Sequence, residues 1–336
     1  MQDERITLAH GDGGLATHRL IAELFSPALS NPALDRGGDS AVVDLLEPGR
    51  LAMTTDSFVV SPIFFPGGDL GRLAVCGTVN DLAVAGAKPL WLTAGFILEE
   101  GYAMADLRRL VASMAGAAAE SGVSIVAGDT KVVGRGQADG CFINTSGVGL
   151  IPADRDLGAH RIRPGQAIVV SGAVAEHGVA VLSARAGLAF ETPVVSDVAP
   201  VARLAEAVLR AAPNTACMHD PTRGGLATAM AELAEAAGCD FLLSEPDLPV
   251  ADAVTGACEM LGLDPLYLAC EGRLIAFVPE SQAGNVLTAL RTTPGGQGAQ
   301  IIGRVTSRGG RAFLRTALGG TRRLDMLSGE NLPRIC

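Results

Sequence analysis

The sequence predicts an α+β protein built from two domains. Its 336 residues are about twice the size of a typical single domain, and strand-like apolar runs come in adjacent pairs with helical runs between them. A polar stretch at 154–161 separates two such sets, so we place the domains at 1–153 and 154–327. Residues 328–336 then form a tail, which we expect to be mobile because it contains turn residues and a proline.

The elements of the N-terminal half follow from apolar periodicity. A strand-like run at 6–9 leads into a glycine-rich loop at 10–14 and a helix, and residues 41–60 are typical of a hairpin around a turn at 47–49. Helical spacing follows over 69–87 and 103–121, and strand patterns follow over 90–98, 123–133 and 140–150.

The second half repeats this organisation. We predict helices at 175–186, 199–211 and 226–237. Strands are expected at 167–171, around Phe241, and at 266–269, 274–278 and 301–305.

Composition excludes several classes of protein. Lys plus Arg total 26 against 36 Asp plus Glu, and a net charge of −10 disfavours a nucleic acid or an anionic membrane surface as partner. The longest uncharged stretch, 140–153, has 14 residues and contains Gly, Asn and Pro, so it is too short and too broken to span a bilayer.

The seven cysteines are scattered, with no two closer than 12 positions, which excludes a zinc or CxxC pattern. Together with a polar N-terminus that has no apolar leader, they predict a reducing, cytoplasmic location.

The glycine-rich loop is the first candidate site. It reads HGDGG at 10–14, and its backbone amides could approach an anion at the start of a helix. A dinucleotide-binding turn and a purely structural turn are the alternatives, and the charge of Asp12 is unfavourable beside phosphate.

Acidic and amide side chains at the ends of apolar runs, or within an otherwise apolar helix, form the second candidate. They could converge on Mg2+, which prefers a few carboxylates plus phosphate oxygens and water, although turn and cap aspartates are the alternative. These residues are Asp39, Asp56, Asn80, Asp81 and Asp129. Lys131 shares strand parity with Asp129 and could touch phosphate or act as a base, unless it forms a solvent-facing salt bridge.

Two further positions could carry chemistry. Arg223, Gly224 and Gly225 precede a helix and suit a phosphate, with Thr222 as a plain N-cap being the alternative. Glu271 follows an apolar run and could be a general base with a raised pKa or a turn residue.

Cys336 is the last residue of the chain. A nine-residue tail at about 3.3 Å per residue could carry its thiol roughly 30 Å into a distant cleft. We expect this thiol to be accessible and open to modification, and the other six to be small core residues, with a frayed end as the alternative for Cys336.

These segments together resemble the HypE family of hydrogenase maturation factors, within the PurM-like ATP-binding superfamily. The resemblance covers essentially the whole chain, and its most specific parts are the block TTDSFVVSPIFFPGGDLGRLAVCGTVNDLAVAGAKP at 54–89 and the terminal PRIC. GDTKVV, DPTRGGLAT and CEGRL support it. Relatives in the superfamily lack the terminal cysteine.

The resemblance implies a PurM-like fold and an activity. The N-terminal domains of a homodimer would join strands into a shared barrel, with ATP near the interface and a C-terminal α/β sandwich beside it. The carbamoyltransferase HypF would load Cys336 with a carbamoyl group, which is dehydrated with ATP to a thiocyanate. The cyano group would pass through the HypC–HypD complex to nickel-iron hydrogenase.

The resemblance also implies roles for single residues. Cys336, Lys131 and Glu271 would be catalytic, and Asp39, Asp56, Asp81 and Asp129 would bind Mg2+. The implied nucleotide contacts are His10, Gly11, Gly13, Gly14, Asn80, Thr130, Arg223, Gly224 and Gly225. The alternatives are a small-molecule kinase or synthetase that would remain active without Cys336, and a non-catalytic carrier of a modified thiol.

Overall fold

The computed structural model describes residues 4–36, 40–45, 47–187, 194–327 and 334–336. In chain order, the N-terminal part contains α1 (Leu15–Leu20), α2 (Ser26–Leu29), β1 (Arg50–Phe58), β2 (Phe64–Phe65), β3 (Gly68–Asp69), α3 (Leu70–Val84), β4 (Lys88–Glu99), α4 (Met104–Ser121), β5 (Ser124–Val133) and β6 (Cys141–Ile151). A π-helical turn at Ile21–Phe25 joins α1 to α2.

The N-terminal sheet has four strands in the order β1-β6-β4-β5, of which only β4 and β5 are parallel. Helices α3 and α4 pack on one face, and alternate residues of the strands enter the core beneath them. The other face is open within the described part of the chain, and it presents apolar side chains at Leu51, Met53 and Ile97.

The sequence of α3 explains why this helix lies at the centre of the fold. Asp69 caps it by accepting a hydrogen bond from the Arg72 amide (2.9 Å), and Gly86, with φ +81°, follows its end. Most of its residues are buried on every side, since it packs between the sheet, α4 and the second domain.

The C-terminal part carries the second sheet. In chain order it contains β7 (Gln166–Val170), α5 (Glu176–Ala186), α6 (Ala202–Ala211), β8 (Cys217–His219), α7 (Gly225–Ala237), β9 (Cys239–Ser244), α8 (Asp252–Leu261), β10 (Ile275–Pro279), α9 (Glu280–Arg291), β11 (Gln300–Arg308), β12 (Ala312–Arg315) and β13 (Thr321–Leu324).

The seven strands lie in the order β13-β12-β9-β11-β7-β10-β8, with α7 on one face and α6 and α9 on the other. Ala83 and Val84, at the end of α3, belong to the same apolar cluster as α6 and α9. The two domains therefore share core, and the α+β expectation is confirmed.

Three predicted elements were wrong. Residues 41–45 form no strand, and Val42, Val43 and Leu45 are exposed because no described strand pairs with them. The strand expected at 6–9 is a 3-10 turn at Leu8–His10, which the His10 ring stabilises by accepting from the Thr7 amide (3.1 Å).

The strand expected at 266–269 begins as a 3-10 turn, Pro265–Tyr267, because Asp264 caps the amide of Leu266 (3.0 Å). The predictions also missed β8, α8, α9, β12 and β13.

None of the helices in the described ranges has both the length and the apolar character that crossing a bilayer requires.

Candidate active site between the two domains

The last three residues of the chain are docked against the segment that follows β1. The Val59 amide donates to the Cys336 carbonyl (3.2 Å), and the Ser61 amide donates to the Arg334 carbonyl (3.2 Å). In return, the Arg334 Nε donates to the Val59 carbonyl (2.9 Å). The chain end is thus paired with an extended segment of the N-terminal domain.

Side chains strengthen this docking. Ile335 is 4% exposed and belongs to the N-terminal core. Arg185 on α5 donates to the carbonyls of Ser61 (2.8 Å) and Arg334 (2.7 Å), and His177 Nε2 donates to the carbonyl of Ile335 (2.8 Å). The expected freely accessible thiol is therefore not what the structure shows, because an apolar anchor and several donors hold the residues next to it.

Cys336 lies partly buried in this dock, whereas the other six cysteines are fully buried, as predicted. Burial raises the pKa of its thiol, and the charges of Glu271 and Asp56 act in the same direction, with Arg223 opposing them. The sulfur therefore lies in the electrostatic field of three predicted site residues. The raised pKa keeps it as the neutral thiol.

Glu271 is the most unusual acidic residue of the site. It is 3% exposed, and within the described part of the chain its Oε1 has no hydrogen-bond partner. Burial raises the pKa of Glu271 well above its ordinary value, and the nearby carboxylates, led by Asp220, raise it further. A buried carboxyl oxygen that has no partner among the described residues, and whose charge acts on a nearby thiol, is suited to receive an N–H group from a substituent on that thiol.

Asp56 and Asp81 form a second acidic pair. Thr54 donates to Asp81 (2.7 Å), while burial and the charge and hydrogen bonding of Asp81 raise the pKa of Asp56 to about 6. Such a pair fits Mg2+, because this ion takes one or two carboxylates and completes its shell with phosphate and water oxygens. In the described ranges no three His, Cys, Asp or Glu side chains converge as a complete metal site, and Asp39 lies outside those ranges.

Replacing Asp56 with asparagine should stabilise the protein at neutral pH in the absence of ATP and Mg2+. The pKa of Asp56 is 3.8 in the unfolded chain and about 6 in the folded protein. The protonated side chain therefore stabilises the fold relative to the ionised one, and this stabilisation is complete below pH 3.8 and is lost as the pH rises through about 6. Asparagine avoids that loss, so the variant should gain about 1 kcal/mol at pH 8, allowing for screening at this partly exposed site. Urea unfolding at a series of pH values measures the difference.

Asp129→Asn is the control, because the change in stability with pH should have the opposite sign at this position. The hydrogen bond from Lys131 lowers the pKa of Asp129, so its contribution is present at neutral pH and is lost as the pH falls. An Asp56→Asn variant whose stability difference from the wild type is the same at pH 4 and pH 8 would contradict the assignment.

The loop 220–225 borders the same site. Gly224 and Gly225 adopt φ values of +77° and +63°, and a side chain on Gly225 would meet the Leu266 carbonyl at 2.5 Å, so this turn requires glycine. Gly224, not Thr222, occupies the N-cap position of α7. The exposed Arg223 makes no hydrogen bond or ion pair with any described residue, and its charge acts on Asp56 and Cys336.

A cavity of about 190 Å³ lies elsewhere, between the glycine-rich loop, the first helices and β5. Its apolar lining includes Phe25, Leu29, Leu34, Phe96 and Ile125. At its polar end are Gly11, Gly13, Asp129, Thr130 and Lys131. An apolar cavity with polar groups at one end is suited to a flat base that carries a charged group.

Asp129 and Lys131 form an ion pair with each other (2.7 Å) on the exposed strand β5. In the sheet, β4 and β6 separate β5 from β1, which carries Asp56, so the backbones are about 14 Å apart at 4.8 Å per strand. The structure therefore groups Asp56, Asp81, Glu271, Arg223 and Cys336 in one site, where their charges act on one another, and it places Asp129 and Lys131 at the cavity instead.

The backbone amides of the glycine-rich loop donate hydrogen bonds to neighbouring residues of the same segment. Gly11 donates to the Leu8 carbonyl (3.0 Å), Gly13 to Thr17 Oγ1 (3.0 Å) and Gly14 to Asp12 Oδ1 (2.8 Å). His10 is buried against Thr7. The loop thus lines the cavity through Gly11 and Gly13, and the amides of Gly11, Gly13 and Gly14 are already hydrogen-bonded within the chain.

Asn80 connects the domains. Its side-chain amide donates to the carbonyls of Ala199 (3.1 Å) and Glu271 (3.2 Å), and its Oδ1 accepts from the Val201 amide (2.8 Å). Both amide protons are engaged, so Asn80 holds the loop with Glu271 against α3.

Several residues of the site escaped the sequence predictions. His177, Arg185, Ser196 and Asp197 lie in no recognisable motif, and only the folded chain brings them to the tail or to Glu271. Asp220 opens the predicted loop, and its buried Oδ2 lacks a partner among the described residues. The position of Asp220 directly before Pro-Thr-Arg-Gly-Gly was the sequence feature that could have indicated its place in the site.

Comparisons with known proteins show the family to which the chain belongs. Family models described as AIR synthase related protein match the chain with their N-terminal domain over residues 37–151 and their C-terminal domain over 163–314. A protein of Rhodobacter capsulatus named carbamoyl dehydratase HypE is 53% identical over 338 residues, which cover 100% of this chain and 99% of that protein.

Two solved structures are similar over almost the whole chain. A crystal structure of hydrogenase maturation protein HypE in complex with ATP matches with a TM-score of 0.94 and 49% identity, covering 98% of this chain and 99% of the other. A chain from a crystal structure of a HypE–HypF complex matches with a TM-score of 0.80 and 44% identity, covering 92% and 99%.

Proposed function

The chain belongs to the AIR synthase related family and, within it, to the HypE carbamoyl dehydratases of hydrogenase maturation, and from this premise we propose that its substrate is its own Cys336. In this proposal a carbamoyl group on the Cys336 sulfur loses water at the expense of ATP. The product is a thiocyanate, which supplies the cyanide ligand of the nickel-iron hydrogenase site.

One observation carries the proposal. The Cys336 thiol is held in the field of Glu271, whose buried Oε1 has no partner among the described residues. A carbamoyl group on the sulfur would supply the N–H donor that this oxygen lacks.

The reaction balances in two steps. The carboxamide oxygen attacks the γ-phosphorus of ATP, the bond to the ADP oxygen breaks, and one N–H proton leaves, which gives an S-linked imidate phosphate. The second N–H proton then leaves, the C–O bond breaks, and phosphate departs as the C≡N bond forms. Phosphorylation is needed because the amide oxygen by itself is a poor leaving group. The oxygen therefore leaves as part of the released phosphate.

The chain's own residues would assist both steps. Glu271 takes a proton from nitrogen, and Arg223 with the N-terminus of α7 stabilises the transferred phosphoryl group. Mg2+ on Asp56 and Asp81 would offset phosphate charge when bound. The apolar cavity would receive the base of ATP. A role for Lys131 in the other proton transfer stays a prediction, because the ammonium group is paired with Asp129.

The docked position of the tail has a consequence for the proteins that would load or unload Cys336. Loading of Cys336 by a HypF carbamoyltransferase requires the thiol to leave its partly buried position, because burial keeps it neutral and a thiolate is the nucleophile. Delivery of the cyano group to a HypC–HypD complex would need the same movement. We propose HypF as the loading partner, on the likeness to the HypE chain of a HypE–HypF complex.

We further propose a homodimer formed through the open face of the N-terminal sheet and the exposed segment before it. Met53 is 75% exposed there, and Leu51, Ile97 and Val42 add to the apolar surface. Met53→Glu should weaken self-association about tenfold or more, because a charge would be buried without a partner. Analytical ultracentrifugation measures this.

Met260→Glu is the matched control for the dimer. Met260 is 73% exposed on α8 of the other domain, so this variant should associate like the wild type. Equal dissociation constants for Met53→Glu and the wild type would count against the proposed interface.

The function itself is tested by incubating the protein with HypF, carbamoyl phosphate and ATP and following its C-terminal peptide by mass spectrometry. We expect the mass of one carbamoyl group to appear, and the mass of one water to be lost only when ATP is present at the dehydration step. A carbamoylated peptide that stays unchanged with ATP would refute the proposal.

A further inference from the structure

A line of buried hydrogen bonds begins at the docked tail. His177 is fully buried on α5, with its Nε2 donating to the Ile335 carbonyl (2.8 Å) and its Nδ1 accepting from Ser196 Oγ (2.8 Å). Ser196 Oγ in turn accepts from the Val198 amide (3.1 Å), and Phe65 packs edge-on against the ring at 5.3 Å. The ring orientation is thus fixed by three neighbours.

The next residue continues the line to Glu271. The side chain of Asp197 is fully buried, and it accepts from the amides of Glu271 (3.1 Å) and Gly272 (3.2 Å) and pairs with Arg273 (3.6 Å). A side chain on Gly272 would lie 1.8 Å from the Asp197 carbonyl, so this close approach requires glycine.

Two adjacent residues therefore face two different parts of the site. Ser196 is bonded to the histidine that holds the tail, and Asp197 is bonded to the loop that carries the proposed base. The backbone between them is anchored at the Ser196 amide, which donates to the Pro66 carbonyl (2.8 Å). A shift of Ser196 would move Asp197, since consecutive α-carbons are a fixed distance apart.

We propose that the segment His177–Ser196–Asp197, as defined by these contacts, places Glu271 for dehydration when the tail is docked, so that His177 and Asp197 are positioning residues. The inference rests on the proposed function of Cys336 and Glu271. When the tail leaves, the Nε2–H of His177 loses its acceptor in a dry site, which is unfavourable, and the ring that Ser196 contacts loses one of the three neighbours that fix its orientation. Tail position and base position are thereby linked.

The test needs two readouts. The rate at which a maleimide reagent labels Cys336 reports how long the tail stays docked, without any need for activity. The single-turnover rate at which the carbamoylated protein loses water with ATP reports the chemistry. Carbamoylation is confirmed by mass spectrometry before each turnover measurement.

The variants distinguish the contact between His177 and the tail from the contact between Asp197 and the Glu271 loop. His177→Ala should speed labelling about tenfold and slow dehydration by a similar factor, because one buried hydrogen bond is lost. His177→Gln keeps a donor near the Nε2 position and should restore both rates to within about threefold. Asp197→Asn should leave labelling unchanged and slow dehydration at least about tenfold, since it weakens the contacts of Asp197 with the Glu271 loop and with Arg273, and its side chain makes no hydrogen bond to a described tail residue.

Ser196→Ala cuts the line at its centre and leaves both end contacts in place, so it decides the question even if His177→Ala does not fold. It should slow dehydration about tenfold. Dehydration at the wild-type rate in Ser196→Ala, or labelling of His177→Ala at the wild-type rate, would overturn the proposal.

A different result marks failure of the proposed function. If the carbamoylated wild-type protein loses no water with ATP, the assignment of Cys336 fails, whatever the labelling rates show. His160→Gln, at an exposed position in the linker between the domains, serves as the control and should match the wild type in both readouts.

Discussion

Cys336→Ala is expected to abolish carbamoyl transfer to the protein, with no modified C-terminal peptide detectable by mass spectrometry. The physical reason is that the remaining six cysteines are buried in the two cores and present no thiolate to a carbamoyltransferase. ATP binding should persist, because the apolar cavity and the Asp56–Asp81 pair do not use the sulfur. Isothermal titration with a non-hydrolysable ATP analogue checks this second part.

Cys258→Ala is the matched control, since Cys258 is buried on α8 in the C-terminal domain. It should accept one carbamoyl group, as the wild type does. Carbamoylation of Cys336→Ala to the wild-type extent would move the acceptor to another residue and would favour a small-molecule kinase or a different carrier site.

Glu271→Gln should leave carbamoylation of Cys336 intact and slow the loss of water by about 10² to 10⁴. Glutamine keeps the size of the side chain and the backbone hydrogen bonds of the loop, so the loss isolates proton transfer. The raised pKa of Glu271 sets the sign of the pH dependence: the base acts when ionised, so the wild-type rate should increase as the pH rises above the ordinary carboxyl range.

Single-turnover measurements on carbamoylated protein give both results. Glu280→Gln, at the start of α9 in the C-terminal domain, should behave like the wild type. A Glu271→Gln rate within about threefold of the wild type would assign the proton transfer to another group, with Asp220 or Lys131 as the next residues to replace.

Periodicity predicted the elements that carry a long apolar repeat. The helices α3 and α4 and the strands β4 to β6 match their predicted ranges closely, because long apolar repeats leave little choice of structure. It failed where local capping outweighed the pattern, as at Asp264 and at Thr7 with His10. It also failed at 41–45, where the apolar residues find no partner strand among the residues that the structure describes.

The site shows a similar division. Asp56 and Glu271 stood out beside apolar runs, Asp81 within an apolar helix, Arg223 in a glycine turn before a helix, and Cys336 as the last residue. In the folded chain their charges act on one another. The residues that hold them there, such as His177 and Asp197, belong to ordinary helical and loop sequence. Their contacts depend on how two domains pack, which no local pattern encodes.

The docking of the chain end has a kinetic meaning. Leu327 is anchored by its amide to Thr228 Oγ1 (3.3 Å), and Arg334 is anchored at 59–61, so residues 328–333 connect two fixed points. Under the proposed chemistry, the carbamoyl substrate reaches Glu271 at an effective concentration set by this covalent connection, of the order of millimolar for short linkers, and not by how much protein is present. Dehydration should then be first order in loaded protein and saturable only in ATP.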